Sequence, residues 1–329
     1  MNGTPYPWQR QQWLQVHAQV AQQRMPHAYL LSGIAGLGKL DFALAFAQAV
    51  LCSQRSEEGL ACGTCRSCRL ISAGTHPDRL LVSPEAAGKP IRIDAVRELI
   101  EFLTLSPSLG ARRIVIVQPA DALNVFAANS LLKTLEEPAP GALLLLVSDR
   151  PASLPATIRS RCQSLRFGPP SPPEGLSWLE TSLESSAERR APALARAGGA
   201  PLAALRYADD EALRTRSGLI AALERLGDSR VDPGTLADEL DSTAADGLLD
   251  TLAAWLRDLI RVGSGAAVRE NPDYAKQLHA HGKGLDLARL FECLDQTLRL
   301  RDMLSNGLNN ALQLEALFIR YRAAVRHKH

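Results

Sequence analysis

Residues Gly33 to Leu40 read GIAGLGKL, which meets the phosphate-binding loop pattern G-x-x-x-x-G-K-[ST] at every fixed position except the last. Gly33 and Gly38 let backbone N–H groups approach a phosphate, and Lys39 supplies a point charge for it. The last position is normally a hydroxyl that ligates the magnesium bridging the β- and γ-phosphates of a nucleoside triphosphate. Leu40 has no ligand atom. The loop can still cradle phosphate, weakly and without a proper metal site.

The partner half of such a site is an apolar strand ending in acids that hold the metal and polarise water. The matching segment is Ile114-Val115-Ile116-Val117, followed by Gln118-Pro119-Ala120-Asp121. Gln118 carries no charge, Pro119 cannot activate water, and Asp121 comes three residues too late, in the following loop or helix. Two separate losses in one machinery predict a site that no longer hydrolyses and binds nucleotide residually or not at all.

Four of the six cysteines, Cys52, Cys62, Cys65 and Cys68, lie within seventeen residues. The last three form C-x-x-C-x-x-C, a spacing that converges thiolates on one metal, and Cys52 can complete a tetrahedron. Four thiolates on zinc leave a negative site that Arg55, Arg66 and Arg69 can offset. Such a centre is structural, because no coordination position stays open. Unrelated free cysteines or an iron–sulfur cluster are the alternatives. Cys162 and Cys293 are too distant to join it.

A further candidate follows the aliphatic stretch Leu143–Ser148, in the sequence Ala156-Thr-Ile-Arg-Ser-Arg-Cys162. Arg159 or Arg161 here either caps carbonyls or solvates a surface, or reaches a phosphate, for which the guanidinium fork suits two oxygens.

These groups need a scaffold. Short aliphatic runs at Ala28–Ser32, Arg79–Val82, Arg113–Val117, Leu143–Ser148 and Ser164–Phe167 read as buried strands. Helical patterns at Leu40–Leu51, Asp94–Thr104, Phe126–Leu135 and Ala156–Ser160 separate them, which predicts an α/β domain with a parallel sheet over residues 1–168 and the cysteine insertion at 52–68. Gly168-Pro-Pro-Ser-Pro-Pro173 breaks the pattern. Residues 169–208 read as a small helical domain with a turn at Gly198-Gly199, and 209–329 as wholly helical. Apolar stripes there run through Leu248, Leu252, Trp255, Leu256, Leu259 and Ile260, through Leu287, Leu290, Phe291, Leu294 and Leu298, and through Leu314, Leu317, Phe318 and Tyr321. They predict helix packing and no cofactor.

At 329 residues the chain has room for two or three domains. A net charge of +2 gives no global basic field for nucleic acid. The longest aliphatic run, Ala142–Val147, is far too short for a membrane span, and the first residues lack the apolar core of a signal peptide. A cytoplasmic protein with no membrane partner is the expectation.

The segment Ala127-Ala-Asn-Ser-Leu-Leu-Lys-Thr-Leu-Glu-Glu-Pro138 resembles the signature helix of AAA+ clamp-loader subunits, and Ser160-Arg161-Cys162 matches their SRC motif. Cysteine cluster, SRC and a defective ATP site together resemble a non-hydrolysing member of the bacterial DNA polymerase III clamp-loader family. The resemblance is strong over 1–168, and over 209–329 it rests on helical pattern alone. It implies a RecA-like AAA+ domain, a helical lid and a helical collar. It also implies a stator role beside gamma or tau ATPase subunits and delta, in an assembly that places a sliding clamp on primer-template DNA. Arg161 would then act in trans as an arginine finger at a neighbour's ATP site. Gly199-Ala200-Pro201-Leu202 puts an apolar residue where the lid of active members carries an arginine. An active, gamma-like ATPase is disfavoured by Leu40, Gln118 and Pro119, and a zinc-dependent nucleic-acid module by the near-neutral charge.

Overall fold

The computed structural model describes residues 4–86, 88–183, 187–227, 231–240, 245–281, 284–303 and 310–325. It divides into two compact units, Met1–Pro170 and Ser171–His329.

The first unit is built on a parallel five-stranded sheet: β1 (Ala28–Ser32), β2 (Arg79–Val82), β3 (Arg113–Val117), β4 (Ala142–Ser148) and β5 (Gln163–Arg166), in the spatial order β2-β3-β4-β1-β5. Strands β1, β3 and β4 are buried along their whole length, which is why they read as unbroken aliphatic runs. Around the sheet run α1 (Arg10–Ala21), α2 (Lys39–Leu51), α3 (Arg66–Ser72), α4 (Ile93–Thr104), α5 (Val125–Glu136) and α6 (Ala156–Arg161). One face of the sheet packs Leu30, Val115, Val117, Leu144 and Leu146 against Val96 and Leu99 of α4 and Leu131 and Leu135 of α5. Helix α5 starts cleanly because Asn124 caps it, its Oδ1 accepting from the Ala127 N–H at 2.8 Å. Helices α1 and α3 have no counterpart in the sequence reading, and β5 begins and ends one residue earlier than the reading placed it.

Among the described residues of the second unit the regular elements are all helices. Helices α7 (Pro172–Ser182), α8 (Ala187–Arg196) and α9 (Pro201–Tyr207) enclose a small core of Leu179, Ala193, Leu194, Ala204 and Ala208. A larger core joins α10 (Asp210–Gly227), α11 (Pro233–Leu240), α12 (Ala245–Gly263), α13 (Ala275–His281), α14 (Leu287–Met303) and α15 (Asn310–Val325). At its centre Trp255 Nε1 donates to the Tyr321 hydroxyl at 3.1 Å, both residues fully buried. The predicted stripe on α14 is wrong at one position: Phe291 is 51% exposed. The face turned inward carries Leu290, Cys293 and Leu294 instead. Among the described residues no helix is long and apolar enough to cross a membrane.

Candidate functional site

The phosphate loop lies at the carboxyl end of β1, where β4 and β5 also end, the crevice in which open α/β sheets bind ligands. The Gly33 N–H donates to the Ser148 carbonyl at 3.3 Å, and Phe167 N–H to that of Ser32 at 2.8 Å. A side chain at position 33 would strike the Phe167 carbonyl. Gly38 has φ +73 and caps α2, and a Cβ there would lie 2.5 Å from the Tyr6 ring. Both glycines are therefore dictated by local geometry.

The loop is braced from a direction the sequence did not suggest. Gln9 Nε2 donates to the carbonyls of Leu37 at 2.7 Å and Gly38 at 2.9 Å. Trp8 Nε1 reaches Leu37 O at 3.1 Å, and the Trp8 ring stacks on Tyr6 at 4.9 Å. The Tyr6 hydroxyl donates to Asp41, the second residue after the lysine, at 3.2 Å. Burial and the Asp41 charge push that phenol up to about 12, so it stays a donor.

Lys39 is only 3% exposed and its charge is already engaged. Its Nζ donates to the Ile34 carbonyl at 2.7 Å and pairs with Asp149 Oδ1 at 2.6 Å. Asp149 follows β4 directly. Gln118 occupies the equivalent place after β3 and Pro119 follows it through a cis peptide bond. Asp121 lies in a 3-10 turn, Ala120–Ala122. Its carboxylate accepts from Ser148 Oγ at 2.5 Å and from the N–H groups of Asp149 at 2.8 Å and Arg150 at 3.0 Å. It holds the exit of β4 and the Asp149 backbone, which ties the two acids into one structure.

The cysteines converge as their spacing implied. The Sγ atoms of Cys52, Cys62, Cys65 and Cys68 all lie within 4.8 Å of one another. Cys52 Sγ is 3.6 Å from Cys62 Sγ and 3.9 Å from Cys65 Sγ, close to the ~3.8 Å edge of a tetrahedron with 2.3 Å metal–sulfur bonds. Cys52 ends α2 and Cys65 caps α3. Backbone N–H groups of Cys62, Cys65 and Cys68 donate to the sulfurs of Cys52, Cys62 and Cys65 at 3.3, 3.3 and 3.5 Å. Burial raises the Cys65 thiol, yet the N–H groups of Cys68 and Ser53 prevail and bring it down to about 5. The Cys62 thiol is lowered by the Thr64 and Cys65 N–H groups. Burial, chiefly, pushes Cys68 up to about 12. The donor set is four soft sulfurs with two readily made thiolates, which fits a structural metal such as zinc.

Of Ser160, Arg161 and Cys162, Arg161 alone carries a charge. Ser160 Oγ donates to the Thr157 carbonyl of its own helix at 3.1 Å. Cys162 is packed in the sheet core, and burial pushes its thiol up to about 12. Arg161 is partly exposed at the end of α6. Its Nη2 pairs with Glu136 Oε1 at 2.5 Å and its Nη1 donates to Thr157 O at 3.0 Å. Glu136 is the last residue of α5, so the signature helix and the arginine are joined directly.

Parallel sheet, phosphate loop after β1 and all-helical second unit define a protein of the AAA+ class. The relatives narrow this. Residues 8–171 match the family described as DNA polymerase III, delta subunit, and residues 210–322 match its C-terminal counterpart. DNA polymerase III subunit delta' of Pseudomonas aeruginosa is 36% identical over 326 residues, 96% of this chain and 97% of that protein. That of Escherichia coli K12 is 33% identical over 317 residues, 96% and 94% of the two chains. The tau subunit of Bacillus subtilis is 34% identical over 146 residues, 44% of this chain and 25% of that one. The chain belongs to the delta-prime subunit family of DNA polymerase III.

Proposed function

We propose that this chain is the non-hydrolysing stator of a DNA polymerase III clamp loader. It is not an ATPase on its own. The observation that carries this reading is the Lys39–Asp149 ion pair: the charge that would meet a phosphate is held by a protein carboxylate, beside Leu40, which has no ligand atom, and Gln118, which brings no charge to a magnesium site. Nucleotide binding at Gly33, Gly38 and Lys39 is then residual or absent.

The chain acts through others. Gamma or tau ATPase subunits and delta are its partners, and the assembly opens a sliding clamp and places it on primer-template DNA. Residues 1–168 form the AAA+ domain, 169–208 the lid and 209–329 the collar that holds the assembly together. Zinc on Cys52, Cys62, Cys65 and Cys68 is structural. Arg161, in the SRC motif with Ser160 and Cys162, serves as an arginine finger in a neighbouring ATP site. The cytoplasm, where replication takes place, is its compartment.

The test is DNA-stimulated ATP hydrolysis by the reconstituted clamp loader containing Arg161→Ala. A finger in trans predicts a loss of roughly three orders of magnitude or more at the adjoining site, with assembly intact. An unchanged rate would leave the subunit a passive scaffold.

A further inference from the structure

The second unit holds a cavity of about 340 Å³ enclosed by α8, α9, α10 and α12. Its wall contains two buried guanidinium groups, Arg196 at 7% and Arg216 at 8% exposure. Arg216 is bound on one side: Asp273 takes its two terminal nitrogens at 2.6 and 2.7 Å, and Asn271 adds a contact at 3.0 Å. Its Nε has no acceptor. Arg196 has only neutral partners. Its Nη2 donates to Thr251 Oγ1 at 2.8 Å and its Cζ lies 5.2 Å from the centre of the Tyr207 ring, while Nη1 is buried without an acceptor. A buried cation with no carboxylate beside it is unfavourable unless an anion joins it.

Two nearby acids, Asp250 of the cavity wall and Glu270, are paired with other arginines. Asp250 pairs with Arg301 at 3.1 Å, and Glu270 receives both arms of Arg257 at 2.7 Å. Asp209 accepts from the Glu211 N–H at 3.0 Å, and both residues are exposed, on the rim. Arg206, also exposed, adds a third cation to the lining, and among the described residues no carboxylate pairs with it or with Arg196. Burial, and then the neighbouring Arg216 charge, hold the Arg196 pKa below the ordinary arginine value, against the smaller opposing pull of Tyr207, Asp250 and Glu270.

We propose that this cavity is a binding site for a compact oxyanion, the phosphate or carboxylate end of a small molecule, held by Arg196 and Arg216 with Arg206 as the outer cation. Guanidinium groups suit both oxyanions, because their planar fork matches two oxygens. The volume lies at the small end of ligand pockets. The acidic rim opposes a long polyanion such as a nucleic-acid backbone.

The experiment is calorimetric titration of the full chain with inorganic phosphate and, separately, with malonate. A Lys39→Ala background silences the phosphate loop. Saturable binding of one anion per chain is expected in that background, weakened tenfold or more by Arg206→Ala, an exposed change that leaves the fold intact. Arg196→Gln should abolish it, with circular dichroism reporting folding. Phosphate binding alone assigns a phosphate site, and malonate binding alone a carboxylate site. No saturable binding by about 10 mM of either anion overturns the proposal. So does affinity unchanged by Arg206→Ala, or binding that disappears with Lys39→Ala.

Discussion

Lys39 Nζ lies 2.6 Å from the Asp149 carboxylate, and the backbone N–H of Asp149 is in turn held by Asp121 at 2.8 Å. An acid in the turn after β3 thus supports the acid that occupies the loop lysine. Restoring one missing part does not undo this. The isolated chain carrying Leu40→Ser, or Asp149→Asn, is expected to release no phosphate from ATP above background in steady-state assays, since Gln118 and Pro119 still supply no carboxylate to hold the metal or activate water. Turnover by either single variant would contradict the reading of the site.

Metal removal should act locally. The cysteines join the end of α2 to α3 and are not among the residues that pack α4 and α5 against the sheet. A chelator is expected to raise amide exchange across residues 52–68 while β1, β3 and β4 keep their protection. Loss of protection throughout the sheet would mean the metal supports the whole unit.

The SRC tripeptide should separate into three different phenotypes. Ser160→Ala is expected to change stability by no more than about 0.5 kcal/mol. Cys162→Ser places a hydroxyl in an apolar core and is expected to cost about 1–3 kcal/mol. Arg161→Ala breaks an exposed pair with Glu136 that contributes at most about 1 kcal/mol. Urea denaturation of the three variants measures this. It also shows whether a lost ATPase rate in an assembly containing Arg161→Ala can be blamed on unfolding.

Acid should weaken the first unit through His76. This residue is buried, its Nδ1 accepts from the Asp78 N–H at 3.1 Å, and its Nε2 has no partner. Burial lowers its pKa below the ordinary 6.5. The neutral ring is the folded form, so its contribution is complete above pH 6.5 and is lost as pH falls through the folded value. His76→Asn keeps an acceptor for Asp78 and should flatten the fall in stability below pH 6.5, followed by urea midpoints at stepped pH.

Leu131 of α5 is fully buried against the sheet. Leu131→Ala is expected to cost about 2–5 kcal/mol and to lower the denaturation midpoint with little change in slope.

Much of this was legible because the chemistry is local in sequence. The strands announced themselves as aliphatic runs, since burial on both faces removes alternation. The cysteines announced a candidate metal centre through short spacings. What escaped was carried by contacts between distant positions. Asp149 is 110 residues from Lys39 and ordinary as a loop aspartate. Glu136 reads as a helix-end acid until Arg161 is found beside it. Phe291 follows helical period, yet the buried side of α14 is set by Cys293, one of the cysteines the metal pattern had set aside. Helix α1 was missed because its glutamine-rich sequence has a weak apolar face, carried by Trp13 and Val16.

The brace formed by Tyr6, Trp8 and Gln9 has a practical corollary. A shortened chain starting near the first strand would keep every motif that the sequence shows. In the folded protein those residues supply the donors for the carbonyls of Leu37 and Gly38 and the aromatic ring against which Gly38 is fitted. Trimming them removes the support of the phosphate loop from a distance in sequence. Any variant made to study the loop inherits that fault unless its first residues are left in place.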